Sequence, residues 1–266
     1  MNSNVMKGRL FCDELNALSL LEFKHELKLL KRIIKITEGC VEKKAVHETN
    51  TFDGVCYYIA RSIVQYSKVA FDNLILGHYD ACEMVNRTII ENKVILDMIY
   101  FDNTSTLWKN YIMQAHWMAK KARGIDPAQD KFISDVLAES SISRTFVDKE
   151  NRKKPYIEMA YGWAYERFGS KKFDFENLCK INESLDYKEF QHMSQYSHNT
   201  SFYRKVIQNS GIDRIMGLIA VIYMGMYELV THYCDGIWDD DFDRVTWELE
   251  SIFRRYMEEY ESTALE

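Results

Sequence analysis

Residues 79–101 read YDACEMVNRTIIENKVILDMIYF, and the architecture follows from them. Apolar residues recur at Ala81, Met84, Val85, Ile89, Val94, Ile95, Met98 and Ile99, three or four apart, while Ile90, Leu96, Tyr100 and Phe101 fill other faces. That spacing is helical, and so wide an apolar cover predicts a helix buried on more than one side. Gly77-His78 precede it, which places Asp80 as the expected cap. Inside the helix Arg87 and Glu91 stand four residues apart, on one face and within reach of each other. Cation before anion is the weaker order for a surface pair, so the order lends no support to a surface role. A buried pair needs further hydrogen-bond partners from elsewhere in the chain to offset its desolvation.

Working outward, 53–76 carries Tyr57, Ile59, Ala60, Ile63, Val64, Val69, Ala70 and Leu74 at helical spacing and stops at Gly77. With so short a connection the two helices form an antiparallel αα-hairpin. Before it, 19–44 reads as a helix whose apolar face includes Leu27, Leu30, Ile33 and Ile34, with Lys24, Lys28, Lys31 and Arg32 on the wet face. After it comes a helix from Ser105 to a basic last turn at Gly124, where Lys120, Lys121 and Arg123 suit the helix dipole. Asp126-Pro127 opens a further short helix. The pattern lapses over 140–155, SSISRTFVDKENRKKP, which is expected to be a mobile loop with a solvated charge run. A short aromatic helix is expected over 156–168, ended by Gly169, and another short piece over 173–185.

Asp186 begins YKEFQHMSQYSHNTSFYRKVI, in which Ser194 and His198 fall four apart on one helical face. The helix over 211–234 contains the longest apolar run, IMGLIAVIYMGMY at 215–227, bracketed by Asp213-Arg214 and Glu228. The run is shorter than the roughly 18–20 residues of a membrane span, so it reads as a core helix. Gly217 and Gly225, about two turns apart, are expected to admit the central helix closely. An amphipathic helix over 238–262 closes the chain, with Asp239, Asp240 and Asp241 at its start.

Composition agrees. In 266 residues, 47% of them hydrophobic, the only prolines are Pro127 and Pro155, and glycine is sparse. No alternating strand pattern of useful length and no Gly-rich phosphate loop is present, which points to an all-α chain. A net charge of −6 argues against general nucleic-acid coating but permits a local basic groove. Six scattered cysteines without a C-x-x-C predict reduced thiols, a cytoplasmic setting and no zinc site. The first residues, MNSNVMKGRLFCDEL, lack the apolar region of a signal peptide.

Two polar motifs remain: R-x-x-x-E at Arg87 and Glu91, and S-x-x-x-H at Ser194 and His198. The hairpin of 60–101, with its glycine turn and Arg/Glu helix, followed by YKEFQHMSQYSHNT, resembles a family of bacterial helical proteins described only as a domain of unknown function. The resemblance covers roughly residues 55–235, with Asn199 where that family often places a proline. It implies a helical bundle and carries no established activity. It also invites comparison with HEPN-type helical ribonucleases of bacterial conflict systems, whose Arg-to-His motif is absent here.

Chemically, Glu91 would orient His198, Arg87 would hold an anion and Ser194 would bond the imidazole or a ligand. In RNA cleavage His198 would serve as general base and Arg87 would stabilise the transition state. The alternative is a buried structural network in which these residues tie two helices together. The sequence therefore predicts one all-α domain over 1–266, an antiparallel bundle of about eight to ten helices. Its N-terminal helix lies within 1–50, its core bundle within 53–235 and its C-terminal helix within 238–262. The expected function is a cytoplasmic bacterial protein acting through protein partners or self-association, in a defence or stress setting that comes from the resemblance. The alternative is a metal-independent ribonuclease or other phosphate-handling enzyme, with nucleic acid at a local basic groove. No cofactor, metal or membrane association is expected.

Overall fold

The computed structural model describes residues 21–102, 106–123, 131, 145–147, 153–169, 172–182, 211–234 and 240–264. The protein is all-α, with eight α-helices among the described residues. They are α1 (Lys24–Glu42), α2 (Phe52–Ile75), α3 (Tyr79–Tyr100), α4 (Leu107–Arg123), α5 (Tyr165–Phe168), α6 (Phe175–Ile181), α7 (Gly211–Glu228) and α8 (Asp240–Ala264). The contacts divide the chain into two compact units. One holds Met1–Ala45, Ala60–Lys93 and Glu189–Glu266, and the other Val46–Ile59 and Val94–Lys188.

The first unit is built on the α2–α3 hairpin. Gly77 has φ of 72°, a left-handed conformation that glycine adopts without strain. His78 N–H donates to the Asn73 carbonyl at 2.8 Å and Gly77 N–H to the Leu74 carbonyl at 3.0 Å. These are the two bonds of a Schellman motif, and they satisfy carbonyls that the end of α2 would otherwise leave bare. Helix α1 runs antiparallel to α2, with Lys68 reaching Glu38 and Arg61 lying 3.7 Å from Glu42. It also runs antiparallel to α8, joined by His25–Glu248 at 2.9 Å and by Arg32 Nε donating to Asp241 at 2.6 Å. Leu30, Ile33, Ile63, Leu74, Ile89, Ile219, Ile222, Phe242 and Leu249 are fully buried in this unit. Burying such a side chain contributes about 1.5–3 kcal/mol.

Helix α7 continues into a π-helical turn, Leu229–Tyr233. By length and composition, Arg214–Tyr233 is apolar enough to cross a membrane. Within the unit its Ile215, Ile219, Ile222 and Met226 are fully buried, and it packs on α1 and α3. Of Gly217 and Gly225, the second meets the central helix: a Cβ there would lie 2.8 Å from Ile89 Cγ2. Gly217 faces open space, so the expectation that both glycines admit the central helix is corrected for Gly217.

In the second unit Asp102 accepts from the Leu107 N–H at 3.2 Å, at the start of α4, and from Arg167 at 2.6 Å. The stretch expected to be a loop over 140–155 instead contains two strands, β1 (Thr145–Val147) and β2 (Lys153–Pro155). They pair antiparallel with Phe146 opposite Lys154. Strands this short carry too few residues for an alternating pattern to register. The expected aromatic helix over 156–168 is also broken up. Turns of 3₁₀-helix at Tyr156–Glu158 and Gly162–Ala164 precede α5, with Tyr161 between them at φ 57°. Gln114 of α4 holds this segment: its Nε2 donates to the Ile157 carbonyl at 3.0 Å and its Oε1 accepts from Trp163 N–H at 3.0 Å. A Cβ on Gly162 would lie 1.8 Å from the Tyr156 carbonyl oxygen, so the close turn requires glycine. Helix α6 is capped by Asp174, which accepts from Asn177 N–H at 3.0 Å. The predicted helix at Asp126-Pro127 lies outside the described residues.

Candidate functional site

The most concentrated polar chemistry of the first unit lies along the seam between α3 and α7. Glu83 and Asn86 fall three apart on α3, and Lys93 follows seven residues on, so all three share one face. All three are buried, Asn86 completely. Each finds a partner on α7. Glu83 accepts from Arg214 Nε at 2.6 Å, Asn86 Nδ2 donates to the Leu218 carbonyl at 3.3 Å, and Lys93 meets Glu228 at 2.8 Å. Partners advance together along both chains, so the two helices run in the same direction, as the second and fourth helices of an up-and-down bundle do. Between the polar rungs Ile89 seats on Gly225, where the missing side chain brings the backbones close.

The N-terminal end of this ladder is the richest. Arg214 Nη2 also donates to Asp80 at 2.6 Å, and its guanidinium stands 5.6 Å from the centre of the Tyr79 ring. Burial alone would lower the Arg214 pKa, but the hydrogen bonds it donates to Glu83 and Asp80, and their charges, outweigh it and raise it. The Cys82 thiol, fully buried beside them, is pushed up to about 12 by burial and by the Glu83 charge, against the opposing Arg214. Tyr79 is raised by burial in the same way, with Arg214 opposing. The Asn86 Oδ1 and the Tyr79 hydroxyl are buried without a hydrogen-bond partner.

This chemistry favours attachment. The one guanidinium is shared by two carboxylates, the ammonium is matched by a third, and the thiol is held far from the thiolate that would attack a substrate.

Arg87 and Glu91 lie on α3, half-buried, and neither is a free charge. Ser194 and His198, the other two candidates, lie outside the described residues. The structure thus places two of the four on the central helix. Sequence reading missed the ladder itself. Asp80 reads as a cap and Arg214 as a flanking charge, yet the signal was present in Glu83, Asn86 and Lys93 recurring on a face otherwise filled by Ile89, Ile90 and Val94. No family model, curated protein or solved structure matches the chain.

Proposed function

We propose that the protein is a cytoplasmic bacterial interaction protein that associates with a second copy of itself through the outer face of α2. A defence or stress setting is part of the proposal and rests on the family resemblance alone. The supporting observation is a row of exposed and half-buried side chains: Ser62, Tyr66, Val69, Asn73 and Leu76 follow one another three and four residues apart. Leu76 is 65% exposed and Val69 46%, although both are large apolar groups. Such a heptad-like stripe suits a second helix.

An antiparallel copy of α2 places Tyr66 against Val69 of its counterpart and Ser62 against Asn73, as a two-fold contact requires. The same register brings Arg61 beside Asp72 of the second copy, matching opposite charges across the axis. Light scattering on the purified chain tests this. A dimer mass is expected, with Asp72→Arg shifting it to a monomer and Arg61→Asp in the same chain restoring it. A wild-type chain that stays monomeric at high concentration, or a dimer that ignores both changes, rejects the proposal. Metal-independent cleavage of a mixed RNA pool that is lost in Arg87→Ala and His198→Ala would favour the ribonuclease alternative.

A further inference from the structure

Helix α1 carries a second, differently built surface. Lys24, Lys28, Lys31 and Lys35 recur at four, three and four residues, so they form one narrow row along about 16 Å of helix. All four are exposed, and among the described residues none of them has an ion-pair, hydrogen-bond or ring partner. The neighbouring basic side chains of the same helix behave otherwise: Arg32 is bound to Asp241, and His25 to Glu248. The row is thus a positive stripe without ion-pair partners among the described residues, on a chain of net charge −6. The apolar side of α1, with Leu27, Leu30, Ile33 and Ile34 buried, is already committed to the core. A partner therefore meets the helix on its charged face alone.

Across the α1–α8 seam the surface changes character. Trp247 is 71% exposed, the most exposed large apolar side chain among the described residues. The pairs His25–Glu248 and Arg32–Asp241 mark the alignment of the two helices, in which Trp247 stands level with Lys24 and Lys28. Arg254 and Arg255 stand exposed two turns beyond it on α8. Asp240 and Asp243 lie level with the Lys31–Lys35 half of the row, away from Trp247, and Glu250 beside Trp247 is engaged by the Tyr223 hydroxyl.

We propose that the α1 lysine row and Trp247 form a binding surface for single-stranded nucleic acid. The lysines would track the phosphate backbone, and the indole would offer a face on which an unpaired base stacks. Stripes of cations beside an exposed aromatic ring are how sequence-tolerant single-strand binding is built. An acidic membrane would use the lysines but has no use for α1 with its apolar side occupied.

The test is fluorescence anisotropy of labelled oligo(dT), which lacks the 2′-hydroxyl and so cannot be consumed by ribonuclease chemistry. Four lysines each releasing counterions predict a log–log salt slope of about −2.8, or roughly a fifty-fold loss of affinity between about 50 and 200 mM salt. Replacing all four by Gln keeps helix propensity and is expected to weaken binding at least about tenfold and flatten the slope. Trp247→Ala is expected to cost about fivefold or more with the slope unchanged. Circular dichroism of each variant checks that the fold persists. The proposal is overturned by absence of binding at low salt, or by binding that survives the four Gln substitutions. It is also overturned if phosphatidylserine vesicles bind through the lysines while oligo(dT) does not, or if Trp247→Ala is silent and polyglutamate competes equally, marking a generic polyanion surface.

Discussion

Two seams in the first unit are sewn with the same kinds of side chain, and they differ in where the water is. Between α3 and α7 the pairs Glu83–Arg214 and Lys93–Glu228 are held inside, with side-chain exposures of 4% for Glu83 and 7% for Lys93. Between α1 and α8 the pairs Arg32–Asp241 and His25–Glu248 have comparable distances, but every partner is open to solvent. Distance alone would rank them equal. Removing one partner of an inner pair strands a charge in a medium that cannot solvate it. Removing one partner of an outer pair returns the other to water, and exposed pairs are generally worth little. The inner seam therefore fixes which helices meet and in what register, while the outer one leaves the surface available for other uses.

The sharpest break of this contrast is Arg214→Met. It leaves the Glu83 carboxylate buried without its guanidinium, at an expected loss of about 2–4 kcal/mol in a urea titration, allowing for the partial exposure of Arg214. The pH dependence carries the sign. A buried carboxyl that has lost its guanidinium titrates higher than before, so the folded variant binds more protons than the wild type does and its relative stability improves as pH falls from neutrality. The deficit should therefore shrink on acidification. Glu83→Leu added to Arg214→Met should recover much of the loss, because an apolar pair of similar volume has no charge to strand. Thiol labelling offers an independent readout. With its pKa near 12 and no exposure, Cys82 should react only through opening, and faster in Arg214→Met than in wild type.

A smaller effect comes from Gly217 and Gly225 of α7. Gly217→Ala fills open space on a helix and is expected to stabilise by about 0.5–1 kcal/mol. Gly225→Ala drives a methyl against Ile89 and is expected to destabilise by about 1 kcal/mol after the same helix-propensity gain. Chemical denaturation of the two variants side by side measures the difference. Equal stabilisation by both would mean that α3 and α7 are not in close approach at Ile89.

How much of this was readable in advance depends on the range of the forces involved. The hairpin was legible because local signals agree: helical periodicity on both sides and a glycine where the Schellman turn needs one. The 3₁₀ segment around Tyr161 was not, since Gln114 dictates it from a distant helix and its aromatic residues still space like a helix. Arg87 and Glu91 drew attention through their adjacency on one turn, a relation that sequence displays. The partners of Glu83, Asn86 and Lys93 lie more than a hundred residues away in the chain, and no spacing rule connects them. Polar residues recurring on an apolar face were the available clue. They announce that a partner exists without saying which one.

The outer seam should give the smallest effect and the clearest dependence on solvent. Desolvation would raise the Asp241 pKa, but hydrogen bonds and charge from Arg244 and Arg32 hold it below the usual aspartate range. A depressed carboxylate contributes its stability above the unfolded pKa and loses it as pH falls through the lower folded value. The contribution of Asp241 should thus be constant near neutrality and fade only below the ordinary aspartate value of about 3.9, opposite in sense to the stranded Glu83 of Arg214→Met. A double-mutant cycle on Arg32→Gln and Asp241→Asn, repeated at low and high salt, measures the coupling directly. A small coupling at low salt that disappears at high salt is expected, because ions screen exposed charges efficiently. The matching cycle on Glu83 and Arg214 should keep most of its coupling under the same salt. If the outer pair proved as strong and as indifferent to salt as the inner one, water access would not be what separates the two seams, and the α1 face would be structural ground as firm as the core.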